Sequence, residues 1–387
     1  MPRAVSPRVA IAGVGELPQG RSPLANTMLL HERLATLALD DAQIEAADVD
    51  ALLTVAPRSD PYLIHAAALA EHLGITPAVT WTLEAGGAAP AAMVDTARGL
   101  IANGTARKVL IVAADMPLGG VTRNAYVGAL AEAGPVHPDI ERPYGPSVPA
   151  MFATVARAHM DRYGTTMEQL AAVAIQNRTA AARHPNAHYR DPIDLDAYRG
   201  SRMIADPLRL LDCAPVSDGG GAVVVTTADR SGDRNIEVLG AGFSTTHLHL
   251  SAAPSLTAFG AGAALDRALA QAGIQRADID LALVYDCFTI ALLINLEDLG
   301  FIDPGKAGPA FAEGRFAANG NLPINPHGGL LSHGHPARAG GMGQLVEAVM
   351  QLRATAGERQ AARAEIALVH GMGGVFATHG VLLLGRS

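Results

Sequence analysis

Two stretches of this chain say the same thing: LHERLATLALDDAQIEAADVDALLTVA (Leu30–Ala56) and LTAFGAGAALDRALAQAGIQRADIDLALVYD (Leu256–Asp286). In each, an Ala-rich helical run gives way to an Ala-Asp-aliphatic-Asp tetrad and then to a short apolar strand. The tetrads are Ala47-Asp48-Val49-Asp50 and Ala277-Asp278-Ile279-Asp280. Working outward, the preceding strands also pair, VAIAGVGE (Val9–Glu16) with IEVLGAGFS (Ile236–Ser244). On the other side, LEAGGAAPAAMVDTARGLIANG followed by KVLIVAAD (Leu83–Asp115) matches HPARAGGMGQLVEAVMQLRATAG followed by EIALVHGMGG (His335–Gly374). Both read as a Gly-rich turn, a helix and a buried strand. Matches in the same order predict an internal duplication. Alternating strands and helices predict an α/β fold with helices on the sheet faces. The halves are expected at 1–230 and 231–387. A Pro-rich and helical loop excursion, 117–206, belongs to the first. Two such halves facing each other bring their equivalent helix N-termini together.

The composition supports a large core. Of 387 residues, 49% are hydrophobic and only 17% charged, which favours tight helix–sheet packing in more than one small unit. A net charge of −8 leaves no basic footprint for nucleic acid. Cys213 and Cys287 are the only cysteines, too few for a disulfide framework, so a reduced, cytoplasmic setting is expected. No apolar run is long enough to predict a membrane span.

Four ordered motifs carry a family resemblance: LLDCAPVSDGGGAVVVT (Leu210–Thr226), VYDCFTIALLINLEDLGF (Val284–Phe301), NPHGGLLSHGHP (Asn325–Pro336) and HGMGG (His370–Gly374). Together they resemble the thiolase superfamily over essentially the whole chain. The nearest branches in pattern are the sterol-carrier-protein-x-type thiolases and the lipid-transfer-protein aldolases of bacterial steroid degradation. The resemblance implies a five-layered αβαβα thiolase fold, a homodimer, and an acyl-coenzyme A thioester as substrate. Coenzyme A enters as part of that substrate, with no tightly bound cofactor. It also implies that His335 of the Gly-His-Pro turn is a catalytic imidazole. His333 is then its neighbour, and His327 is unassigned.

Departures from the family pattern decide the chemistry. A thiolase places a nucleophilic Cys at the N-terminus of the central helix of its first half, where the helix dipole favours the thiolate. Counting back from ARGLIANG puts Gly87 near that place, and no Cys, Ser or Thr lies between Glu84 and Met93. Tyr285 of Tyr-Asp-Cys-Phe replaces a His or Asn of the thiolases, as in the steroid side-chain aldolases. Cys287 stands where the sterol-carrier branch has its acid/base. His370 lies near a position that is Cys in many thiolases.

Tyr285, Cys287, His335 and His370 are therefore the expected catalytic residues, with Asp286 orienting the turn. Gly87 and Gly373 are the expected backbone donors to an oxyanion. The plainer alternatives are a core tyrosine, an apolar filler thiol and capping imidazoles. A tyrosine hydroxyl is a weak base at neutral pH unless a neighbour tunes it, and His335 is the expected neighbour. No metal-ligand spacing is present, and the glycine turns lack the dinucleotide fingerprint. The favoured reaction is retro-aldol cleavage of a β-hydroxyacyl thioester, as on a steroid or lipid side chain. One alternative is an acetyltransferase-type subunit working with a small zinc-ribbon/OB-fold partner. Another is a non-catalytic acyl-coenzyme A or lipid-binding scaffold.

Overall fold

The computed structural model describes residues 7–119, 128, 134–228 and 234–386. Part of the expected excursion, 120–127 and 129–133, lies outside them. Among the described residues one nine-stranded mixed sheet runs through the molecule. Its strands in chain order are β1 (Val9–Gly15), β2 (Ala51–Thr54), β3 (Val79–Thr82) and β4 (Lys108–Asp115). A two-residue-deep hairpin, β5 (Met203–Ala205) and β6 (Leu208–Arg209), stands apart. Then come β7 (Gly219–Thr227), β8 (Ile236–Thr245), β9 (Leu281–Val284), β10 (Ile366–Gly373) and β11 (Thr378–Arg386).

The strand order is β3-β2-β4-β7-β1-β8-β11-β10-β9, and it reads alike from the middle outward. From β1, the neighbours are β7 and β4, both antiparallel, then β2 and β3, both parallel. From β8, they are β11 and β10, both antiparallel, then β9, parallel. A parallel bridge from Ala282 to Ile324 stands where β3 stands in the first set. Among the described residues, the strand pairing that joins the sets is Ala10 with Glu237 and Ile11 with Ile236.

The repeat extends to single interactions. Asp50 accepts the backbone N–H groups of Arg107 and Lys108, at 2.8 and 2.9 Å. Its counterpart Asp280 accepts those of Glu365 and Ile366, at 2.9 and 3.0 Å. Each tetrad opens with a 3₁₀ turn, Ala46–Asp48 or Arg276–Asp278. Each first strand also meets its helix through glycines. A side chain at Gly13 or Gly15 would collide with α1 (Thr27–Ala42), and one at Gly240 or Gly242 with the helix Ala261–Ala272.

Strand periodicity builds the layers. In β4, Val109, Ile111 and Ala113 face a central core, whereas Leu110, Val112 and Ala114 face an outer core under α1 and α2 (His65–His72). In β9, Leu281 and Leu283 face the same central core, and Ala282 and Val284 face the opposite outer one. The central core holds α3 (Ala89–Ala102) and the helix Gly341–Leu352, the equivalent helices of the two patterns. Helix, sheet, helix, sheet, helix is the expected five-layered α/β arrangement. The Pro-rich segment after Gly134 leads into two amphipathic helices, Val148–Tyr163 and Met167–Ala181. They pack on the second outer core beside the helix Thr289–Asp298.

Gly242→Val tests the helix–strand contact. A Cβ there would stand 2.8 Å from the Ala268 nitrogen and collide with the Ala264 carbonyl. Overpacking of this kind costs about 1–3 kcal/mol. Denaturant unfolding is expected to show at least that loss, and a variant as stable as the parent contradicts the packing described.

Candidate active site

Tyr285 directly follows β9, and only 4% of it is exposed. Its peptide is gripped from both sides. The N–H donates to Nδ1 of His370 at 3.4 Å, and the carbonyl accepts from Nδ2 of Asn295 at 2.9 Å. One residue earlier, Asn325 bonds both the N–H and the carbonyl of Val284, at 2.7 and 2.8 Å. With the backbone fixed, the phenol oxygen lies 3.0 Å from Nε2 of His335. The two rings meet edge-on. Burial pushes the His335 imidazole down to about 4, so at neutral pH its ring is uncharged and Nε2 can accept the phenol proton.

The glycine-rich turns explain where that phenol sits. Gly86–Ala88 form a 3₁₀ turn leading into α3. A Cβ at Gly87 would collide with Cε2 and Cζ of Tyr285 and stand 2.5 Å from the Met372 carbonyl oxygen. A Cβ at Gly86 would stand 2.7 Å from the Gly373 Cα. The turn thus lies backbone to backbone against the end of β10, and the Tyr285 ring fills the volume that a side chain at 87 would need. α3 begins there with no side chain capping it.

Asp286 is fully buried and accepts from Nδ2 of Asn177 at 2.6 Å and from the N–H groups of Leu330 and Leu331 at 2.8 and 3.4 Å. Burial pushes its carboxyl up to about 7, against the pull of those donors. It thereby ties the Tyr-Asp-Cys-Phe turn to the short helix Gly329–Ser332 at the start of the Gly-His-Pro segment. The Cys287 thiol is pushed well above the ordinary thiol range, first by burial and then by Asp286, which suits a proton donor and not a thiolate. The Cys287 carbonyl accepts from the Ala214 N–H at 2.9 Å, and Cys213 bridges to Phe288. Cys213 is thus an immediate structural neighbour.

His370, expected as an acid or base, has both ring nitrogens engaged. Nε2 of His379 faces the Phe376 carbonyl at 3.1 Å and must donate to it. Nδ1 of His379 therefore accepts from Nε2 of His370, also at 3.1 Å, which leaves Nδ1 of His370 to accept the Tyr285 N–H. Both rings are fully buried. Burial keeps His370 far below 6.5 and His379 at about 4.

A second cluster lies behind the turn. Glu16, His184 and His333 place ligand-type atoms within 4.8 Å of one another. However, Nδ1 of His184 accepts the Asn186 N–H at 3.1 Å. That leaves the proton on Nε2, pointing between Glu16 at 3.6 Å and Glu347 at 3.8 Å. With Nδ1 of His184 engaged, the cluster does not present a full set of lone pairs to a metal. Glu16, Asn177, Asn295, Asn325 and His379 went unsingled in the sequence. A signal was present for Asn295, a polar residue inside the otherwise apolar run IALLINLEDLG.

Residues 242–386 match the family model described as thiolase C-terminal domain-like. Over 90% of its length the chain is 34% identical to an acetyl-CoA acetyltransferase of Methanothermobacter thermautotrophicus, covering 92% of that protein. The chain belongs to the thiolase superfamily. Within it, the chain is 33% identical to a 17-hydroxy-3-oxo-4-pregnene-20-carboxyl-CoA lyase of Mycobacterium tuberculosis, over 91% of this chain and 93% of that one. A solved structure titled Ltp2-ChsH2(DUF35) aldolase superposes with a TM-score of 0.86 at 31% identity, over 99% of both chains. Among the described residues no helix is long and apolar enough to cross a membrane.

Buried neutral imidazoles give the fold a signed pH dependence. His31, His335 and His379 are held at about 4 and His184 at about 3, all through burial, and His327 and His370 are pushed well below 6.5. A lowered folded value contributes stability above pH 6.5 that is lost as pH falls toward 4. Asp286 and Asp298, raised to about 7 by burial, act in the opposite sense over the same window, but the six imidazoles outnumber these two carboxyls, and thermal melts are expected to fall between pH 6.5 and 4. A flat profile across that window contradicts this account.

Proposed function

We propose that this thiolase-superfamily enzyme cleaves the Cα–Cβ bond of a β-hydroxyacyl-coenzyme A by a retro-aldol reaction, with Tyr285 and His335 as the proton-accepting pair. The observation that carries the reading is the 3.0 Å approach of the phenol to Nε2 of His335. It occurs at the point where the Tyr285 ring replaces any side chain at Gly87. A covalent acyl-enzyme at that place has neither a nucleophile nor room for one.

The substrate's β-hydroxyl gives its proton to the Tyr285 oxygen as Tyr285 passes its own to Nε2 of His335. The Cα–Cβ electrons move onto the thioester, and a ketone or aldehyde leaves. The resulting enolate oxygen is held by the Gly87 and Gly373 N–H groups at the mouth of α3. The Cys287 thiol protonates the α-carbon and recovers its proton from the His335 imidazolium. His370 acts on this chemistry through the Tyr285 peptide. Steroid or lipid side chains are the proposed acyl groups, supported by the name of the mycobacterial lyase. Coenzyme A is the carrier, and the cytoplasm is the proposed location.

The same reading divides the chain into duplicated halves, 1–230 and 231–387. It includes a homodimer formed through β3, an edge strand that among the described residues pairs with β2 alone. Trp81 on β3 is 49% exposed, and the adjoining Tyr62, Leu63 and Ile64 are 54, 102 and 65% exposed. It also includes a small zinc-ribbon/OB-fold partner, for which the two-protein title of the solved aldolase is the support. The acyl-transfer alternative draws on the archaeal acetyltransferase relative, and the filled volume at Gly87 weighs against it.

Incubation with a panel of β-hydroxyacyl-coenzyme A thioesters, read by mass spectrometry, is expected to yield a carbonyl compound and a shortened acyl-coenzyme A. Acetoacetyl-coenzyme A with free coenzyme A is expected to be inert. Tyr285→Phe is expected to lower kcat by about 10²–10⁴-fold and to leave thioester binding intact. Unchanged turnover in that variant sinks the mechanism. Trp81→Lys is expected to convert the dimer to monomer in light scattering, and an unaltered mass removes β3 from the interface.

A further inference from the structure

Glu16 stands outside the catalytic pair, yet it lies behind the turn that carries His335. It follows β1, and its side chain is 7% exposed. Burial opposes its ionisation. His333, His184 and the Asn186 amide outweigh that and hold the carboxyl down at about 2. Oε1 lies 3.0 Å from Nε2 of His333, and Oε2 accepts from Nδ2 of Asn186 at 3.0 Å. His184 links Glu16 onward to Glu347, which is paired with the buried Arg359 at 2.9 Å. One buried carboxylate thus joins the end of β1, the excursion, the central helix Gly341–Leu352 and the His333-Gly334-His335 turn.

The turn itself is short of regular support. Gly334 has φ +154°, and a Cβ there would stand 2.7 Å from the Gln19 Cβ, three residues beyond Glu16. Its polar atoms are held by neighbours from elsewhere. The His333 carbonyl accepts the His188 N–H at 2.8 Å. The His335 N–H donates to the Ser217 hydroxyl at 3.1 Å, and the Ser217 N–H reaches the His335 carbonyl at 3.4 Å. The Ser217 hydroxyl is shared with Nδ1 of His188 at 2.9 Å. Of the two histidines flanking Gly334, His335 meets Tyr285 and His333 meets Glu16.

We infer that Glu16 is a positioning residue for His335: its buried carboxylate anchors His333 and so fixes the turn that aims the His335 ring at the Tyr285 hydroxyl. The inference rests on the proposed role of the Tyr285–His335 pair. Its geometric part stands apart from the reaction. Glu16→Gln keeps the shape and removes the charge that holds His333. His333→Gln approaches the same contact from the other side and serves where Glu16→Gln fails to fold.

Three measurements test it together. In the first, Glu16→Gln is expected to lower kcat on a β-hydroxyacyl-coenzyme A by about 100-fold, the order expected for an ångström-scale misplacement, with KM little changed. In the second, Glu16→Gln is combined with His335→Asn. If Glu16 acts through His335, the double variant is expected to be no slower than His335→Asn alone. Losses that multiply instead overturn the inference. In the third, the His335 ring resonance of histidine-labelled protein, assigned from its absence in His335→Asn, is expected to shift or broaden in Glu16→Gln. A His335 resonance unchanged in a folded Glu16→Gln protein overturns the inference. A parent enzyme inert on every β-hydroxyacyl thioester overturns the reaction alone, and the resonance then decides the positioning.

Discussion

No side chain can stand between the turn that opens α3 and the end of β10. Gly86 and Gly87 on one side and Gly371 and Gly373 on the other bring two backbones into direct contact. The central helices can therefore sit deep between the two sets of strands, with their N-terminal turns meeting at one place. The residues proposed for the chemistry are arranged around that contact. Tyr285 enters it from β9, His335 from the turn before the helix Gly341–Leu352, and His370 from β10.

The histidines around the contact divide into two systems with opposite electrostatics. His370 and His379 form an uncharged relay of hydrogen bonds that ends on a carbonyl and locks the Tyr285 peptide. His184 and His333 surround a buried carboxylate instead. A neutral system is indifferent to its surroundings so long as every nitrogen is used. A buried charge is costly unless its partners stay in place, so it resists displacement of the segments it joins. The first suits a strand interior, and the second suits a glycine-rich turn with little backbone bonding of its own.

Much of the fold was legible because the chain repeats itself. The paired tetrads around Asp50 and Asp280 recur as the same backbone hydrogen bonds, and the glycines of β1 and β8 meet equivalent helices. Tyr285 and His335 were legible as a pair because motif order placed them on the same central contact. His370 was read as an acid or base because it lies near a position that is Cys in many thiolases. Its occupation by His379, nine residues on across the β10–β11 pairing, is a tertiary fact. Glu16 was invisible for the same reason. It ends a glycine-rich strand in the first half, and its partners are 168 and 317 residues further along (184 − 16 and 333 − 16). Sequence periodicity reports which face a residue takes, not which distant turn it meets.

The shared volume of Gly87 and Tyr285 constrains how such a chain can change. A side chain at 87 and the Tyr285 ring in its present place exclude each other, because the first atom of the one collides with the ring of the other. Exchange between an acyl-enzyme chemistry and a phenol-based one cannot pass through an intermediate that carries both residues. The path runs through a chain with a glycine at 87 and a smaller residue at 285, which has neither nucleophile nor phenol. On the proposed mechanism, inherited change between the two reactions crosses a catalytically silent step, and the order of substitutions is set by steric exclusion before selection acts on either activity.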